Sequence, residues 1–333
     1  MTGRDRDVRD GTGGTSARAL LATVRDRLGD RAAAATDPRV TVGDRVVLVD
    51  CEHPGHGRVA GVAHRPAGSP PAPDWPSTVA GLAALAVDGA PDHGDRLARA
   101  VGITTLNALS APDVDWLPGD PMAALSADVD VVATVGLFRP AFRKFDDVEV
   151  RVVERDPPAP ADVDAPAGVR VTTFEPAAAE RAFAGADVLF LTGSTLVYGG
   201  VDRYLAAAET AGVGLTVLIG ATASFVPEPA FDAGVDLLAG ARVADLAAVR
   251  ERVAAGDCDT DLHDHGLEKG YVVAPAVVEA SRGGHGRLPG LTLPAEAVAN
   301  DDGPTSETRI GTSDDSADRD HATGDGRGSE ETT

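Results

Sequence analysis

The sequence predicts an α/β fold, a Rossmann-like parallel sheet domain preceded by a smaller α+β domain, and three observations carry that prediction. From about Met122 onward, short apolar runs alternate with helical stretches, and near-continuous apolar strands suit a parallel sheet covered on both faces. Within Asp187 to Gly240, D-V-L-F-L runs into T-G-S-T-L, then a helical segment, then L-T-V-L-I-G. That is strand, hydroxyl-rich turn, helix and parallel strand, which aims backbone N–H groups and short hydroxyls at an anionic or polar ligand. Ahead of this, two strand-like runs and several helical segments describe an antiparallel hairpin with helices. A chain of 333 residues fits two domains, here 15–118 and 119–295. The tails 1–14 and 296–333 hold too little apolar surface to offset their ordering entropy and are expected to be disordered.

Taken in order, Ser16 caps a helix whose Leu20, Leu21, Val24 and Leu28 keep helical spacing and which Gly29 ends. Arg45 to Val49 and Arg58 to Ala63 form the hairpin, Pro66 to Pro76 a surface loop. Two helices follow, Ser77 to Val87 and Pro91 to Leu109, the second opened by its proline. Strands are expected at Asp130 to Val135, Val148 to Val153, Val188 to Leu191, Leu215 to Ile219 and Val235 to Leu238. Helices are expected at Ala177 to Ala184, Val201 to Ala211 and Asp245 to Ala255.

The formal net charge is -22, yet Lys144 and Lys269 are the only lysines and every other cation is arginine. Acid spread along a whole chain keeps a protein dissolved in strong salt, where screening removes its self-repulsion. This is the composition of a halophilic, acidic, cytoplasmic protein; an acidic partner-binding surface is the competing reading. No basic run offers a footprint for nucleic acid. No apolar stretch reaches the roughly 18 residues of a membrane span, and the first ten residues lack a signal-peptide core. Two cysteines, Cys51 and Cys258, exclude a disulfide framework.

Ligands of a parallel sheet sit beyond the carboxyl ends of its strands. The first such strand delivers Gly136, a single glycine where a dinucleotide fingerprint places three. The second delivers Glu154, a carboxylate for ribose or other vicinal hydroxyls, or a solvated strand-end acid. The third delivers Thr192, Gly193, Ser194 and Thr195: Gly193 for a tight turn, the hydroxyls for an anion or for capping the next helix. The fourth delivers Gly220 and Thr222, a second small polar turn. Cys51, His53 and His56 lie in one short segment and Cys258, His263 and His265 in another. They carry the donors of a zinc or softer transition-metal site but not the paired C-x-x-C spacing, and the competing reading is two ordinary polar loops. His64 and His93 are isolated and read as structural or exposed. Neither a G-x-S-x-G elbow nor a P-loop lysine is present.

The runs G-L-F-R-P at Gly136 to Pro140, V-V-E-R at Val152 to Arg155, D-V-L-F-L-T-G-S-T-L at Asp187 to Leu196 and F-D-A-G-V-D-L-L-A-G-A-R-V-A-D at Phe231 to Asp245 resemble the DUF364 heavy-metal-chelation family. G-V-A-H at Gly61 to His64 and I-T-T-L-N-A-L at Ile103 to Leu109 resemble its N-terminal DUF4213 domain; a haloarchaeal type of member is implied. The resemblance implies an enolase N-terminal-like domain before the Rossmann-like one and a ligand cleft between them. Gly136, Glu154, Thr192 to Thr195 and the Gly220 turn would line one side, with Asn107 from the other. Two departures fall at that cleft: Tyr198 stands where the family has asparagine, and Gly220, Ala221, Thr222 where it has G-P-S or G-P-T.

Three functions follow as expectations. The first is a protein that binds a small anionic or metal-chelating ligand between its domains, in metal or cofactor handling, with a transition metal ion as the implied cofactor. The second is a nucleotide- or S-adenosyl-dependent transferase or lyase with Glu154 on the ribose. The third is a non-catalytic scaffold with a degenerate site. A homodimer is compatible with all three.

Overall fold

The structure, a computed structural model, describes residues 19–68, 74–87, 93–126, 128–145, 147–282 and 291. The expected tails 1–14 and 296–333, the Ser16 cap and the Pro91 helix start lie outside them. So does the middle of the expected loop at 66–76.

The chain opens with α1 (Ala19–Arg27) and α2 (Gly29–Ala34). Gly29 therefore begins a second helix where a terminator was expected. Three antiparallel strands follow in spatial order, β1 (Thr36–Val42), β2 (Val46–His53) and β3 (Gly57–His64). β1 carries a register shift between Thr36 and Arg39, and Pro38 falls inside it, the position an edge strand allows a residue without an N–H. Then come α3 (Val79–Ala84), whose amide at Gly81 is capped by the Thr78 hydroxyl, and α4 (His93–Ser110).

The second half contributes β4 (Leu117–Pro118), β5 (Val131–Val135), α5 (Arg139–Lys144), β6 (Glu149–Val153), β7 (Arg170–Phe174), α6 (Ala179–Phe183), β8 (Val188–Thr192), α7 (Ser194–Tyr198), α8 (Val201–Ala211), β9 (Leu215–Ile219) and α9 (Glu228–Asp232). It ends with β10 (Leu237–Val243), α10 (Leu246–Ala254), α11 (Asp259–Leu262), β11 (Leu267–Val273) and α12 (Pro275–Arg282). The sheet runs β4-β11-β10-β9-β8-β5-β6-β7. From β7 to β10 every pairing is parallel, and β11 and β4 are antiparallel additions on the β10 side. Numbered from β5, the parallel strands follow the order 3-2-1-4-5-6 of a dinucleotide-binding fold, reversing between β5 and β8. β4 precedes residue 119, the expected start of the second domain, yet pairs within this sheet.

Packing explains why both halves are needed. One face of the large sheet, with Ala133, Leu189, Leu191 and Leu218, shares a continuous core with Leu21, Val49, Leu97 and Leu106 of the first half. The opposite face buries Val150, Phe190, Val217 and Tyr271 against Phe142, Phe145 and Val277. The β2–β3 hairpin is apolar on both sides, and its second side, with Leu48 and Val62, packs on Val249 and Val253 of α10. Among the described residues no helix is long and apolar enough to cross a membrane.

Candidate functional site

At the point of strand reversal, the carboxyl ends of β5, β6 and β8 enclose a cavity of about 380 Å³. Five expected residues line it, namely Gly136, Glu154, Thr192, Ser194 and Thr195, and they are joined by His64, Arg155 and Tyr198. Gly136 has φ +91, and a Cβ there would lie 2.6 Å from Thr192 Oγ1, so the backbone both turns and presses against β8. Glu154 accepts hydrogen bonds from the amides of Leu137 (2.9 Å) and Arg155 (3.3 Å), which ties the loop after β5 to the end of β6. The Thr192 hydroxyl donates to the Val135 carbonyl (2.8 Å) and lies 2.9 Å from Ser194 Oγ, while the Thr195 hydroxyl donates to the Thr192 carbonyl. The hydroxyl cluster is thus ordered from within, with Ser194 at the half-buried surface.

Tyr198 forms the opposite wall. The Arg155 guanidinium lies 4.0 Å from its ring centroid and that of Arg96 5.5 Å, and the His64 ring is 6.1 Å away. His64 comes from β3, so the small sheet supplies one wall.

Other expected residues serve this cavity without lining it. Gly193 is helical (φ -55), so no positive φ calls for a glycine there; its reason is close approach. A Cβ there would lie 3.0 Å from Thr222 Cβ, and its amide donates to the Ile219 carbonyl at 2.7 Å. Asn107 is buried on α4, its Nδ2 donating to the carbonyls of Val62 (2.9 Å), Thr222 (3.0 Å) and Ala221 (3.3 Å). Thr222 Oγ1 accepts the His64 amide at 2.9 Å. Asn107 and Thr222 therefore clamp the turn after β9 onto β3, and Gly220 lines a neighbouring cavity.

The expected metal ligands do not converge. Cys51 is fully buried in the apolar core, and burial, with help from the Asp50 charge, pushes its thiol up to about 11, which disfavours the thiolate a metal needs. His53 and His56 meet ring edge to face at 4.9 Å. The Cys258 thiol donates to Asp261, His263 Nδ1 is bound to the Leu267 carbonyl, and His265 is exposed. Among the described residues no three His, Cys, Asp or Glu side chains gather as a metal site. The donor set does not fit a resident metal.

A larger cavity, about 560 Å³, opens at the other end of the sheet beside Asp202, Asp232 and Asp236. Burial raises the carboxyl pKa of Asp202 and of Asp236, against the opposing hydrogen bonds from the amides of Leu20 and Thr216. A raised native pKa means that the folded chain holds protons the unfolded chain has released. This contribution is fully present below the ordinary Asp value near pH 4 and is lost as pH rises through the native values. The double variant Asp202→Asn, Asp236→Asn should therefore show a flatter melting temperature above about pH 4 than the parent. Identical pH profiles in thermal melts would remove the assignment.

Comparison with known proteins agrees with this architecture. Residues 122–269 match a family model described as "DUF364: Putative heavy-metal chelation". A DUF364 protein of unknown function from Pyrococcus horikoshii superposes with a TM-score of 0.62 at 20% identity, covering 77% of this chain and 100% of that one. One from Desulfitobacterium hafniense DCB-2, also of unknown function, gives 0.58 at 13% identity, covering 77% and 98%. No curated protein matches the sequence. The chain is thus similar to DUF364 proteins in fold over most of its length, and to the family's sequence pattern over residues 122–269.

Proposed function

We propose that the chain binds a small anionic molecule, one able to carry a chelated metal as cargo, in the cavity between β3 and the carboxyl ends of β5, β6 and β8. The supporting observation is electrostatic. In a chain of formal charge -22, the wall around Tyr198 gathers Arg155, Arg96 and His64. Among the described residues Arg155 has an aromatic face for a partner and no carboxylate. A guanidinium held against a ring keeps its fork of donors free for a carboxylate or phosphate. The Ser194 hydroxyl and the Glu154 carboxylate then meet the ligand's hydroxyl or N–H groups.

The test is to purify the protein natively in high salt and analyse one sample for bound metals and for small molecules released on denaturation. Arg155→Ala should retain the fold by circular dichroism and lose about tenfold or more of any anion carried by the parent, the worth of one charge-assisted contact. Equal occupancy in both proteins would sink the reading.

One observation favours a second reading. The 3-2-1-4-5-6 order with Glu154 at the end of the second parallel strand is where a dinucleotide-binding fold holds its ribose hydroxyls. A nucleotide or adenosyl compound released without metal, and lost in Glu154→Ala, would support it. Cytoplasmic residence in a salt-rich cell is proposed from the acidic composition, and an abrupt loss of helicity on desalting would support it.

A further inference from the structure

Beyond the loop from Gly136 to Pro140, and outside the anion site just proposed, a second cavity of about 180 Å³ lies beside the carboxyl end of β9. Its wall is apolar, with Phe138, Pro140 and Met122, and the Phe138 ring is braced by Phe190 at 5.1 Å between centroids. Its rim is charged. Lys269 Nζ and Asp120 Oδ2 face each other at 3.3 Å, both about half exposed. His263 lines the same cavity, with Nδ1 at 2.7 Å from the Leu267 carbonyl. A carbonyl oxygen only accepts, so Nδ1 donates to it, and in that tautomer Nε2 is left as an acceptor. An ammonium, a carboxylate and an imidazole therefore stand around a small apolar chamber.

We propose that this cavity binds a free apolar amino acid, with its ammonium on Asp120 and His263 Nε2, its carboxylate on Lys269, and its side chain against Phe138 and Met122. A simple carboxylate would set its charge against Asp120, and a simple amine would set its charge against Lys269. Opposite charges on neighbouring atoms satisfy both. The volume sets the side chain: an engineered apolar cavity of about 150 Å³ accepts one benzene ring, so a chamber of similar size takes a single ring or a branched aliphatic chain. As an isolated surface ion pair, Asp120 and Lys269 would contribute almost nothing to stability. Yet one of only two lysines among 30 basic residues stands at this mouth. An ammonium point charge suits a single carboxylate oxygen where arginine would demand a bidentate partner.

The test is isothermal titration calorimetry of the full chain, in the salt that keeps it folded, with L-phenylalanine, L-leucine, 3-phenylpropionate and phenethylamine. At least one of the two amino acids should bind saturably. For phenylalanine, the two single-charge analogues should each bind at least about tenfold more weakly. Lys269→Met should erase the preference over phenethylamine, and Asp120→Asn the preference over 3-phenylpropionate. Both sites are half exposed, and asparagine keeps the acceptor that caps the Met122 amide, so the variants should fold. No saturable binding of either amino acid up to about 10 mM, or variants with the parent's preferences, would overturn the proposal.

Discussion

Replacing Asp50 with alanine should lower the stability of the chain by about 3–5 kcal/mol, the cost of removing one partner from a buried ion pair. Asp50 is fully buried on β2, on the side of the hairpin that faces α10. It is bound by Arg58 from β3 and, at 2.5 Å, by Arg250 from α10. Arg58 also reaches Asp37 and Glu52, so its charge is shared, but Arg250 has Asp50 as its ion-pair partner among the described residues. Without Asp50, two guanidiniums would face each other across the contact between the small sheet and α10. Chemical denaturation should show the loss at both moderate and high salt, because a buried pair is poorly screened. A loss below about 1 kcal/mol would mean that the network behaves as a surface pair.

Gly61→Val should cost about 3 kcal/mol, the upper end for overpacking a core. Helix α4 lies directly on β3 at this glycine: a Cβ would fall 2.5 Å from both the Ala108 amide nitrogen and the Thr104 carbonyl oxygen. Backbone atoms cannot rotate away, so the helix must lift. Lifting it withdraws Asn107 from the carbonyls of Val62 and Thr222, and the turn after β9 loses its clamp. Denaturation midpoints and the anion occupancy of the purified variant should therefore fall together. A stable variant with loosened occupancy would separate the clamp from the packing.

The sequence made some of this legible for identifiable reasons. β5, β6, β8 and β9 stand within a residue of expectation because strands covered on both faces are almost uninterrupted Val, Leu, Ile and Phe. β7, with exposed Arg170 and Thr172, and β11, with exposed Glu268 and Lys269 near its start, lie toward the sheet's flanks and lack that signature. The parallel sheet was accordingly expected, and its antiparallel margin was not included. Strand ends predicted where Gly136, Glu154, Thr192, Ser194 and Thr195 would meet, since the reversal in strand order follows from topology. His64 was read as isolated because it reaches the cavity through contact between two sheets, which no local pattern records. Arg155 and Tyr198 left a fainter signal: Tyr198 was visible as a departure from the family pattern, but its pairing with Arg155 depends on loop geometry. The cysteine and histidine segments show the converse, with suitable donors close in sequence and, among the described residues, no three of them gathered in space.

The antiparallel margin also sets an order of events as the chain emerges during synthesis. The six parallel strands are complete at Val243, but β10 stays unpaired on its outer side until Leu267–Val273 has been made. That strand is in turn covered by Leu117 and Pro118, made long before. At roughly 5–20 residues per second, an apolar strand edge stands open for a few seconds on each nascent chain. Pro118, which cannot donate a ladder hydrogen bond, then closes that side of the finished sheet against further strands.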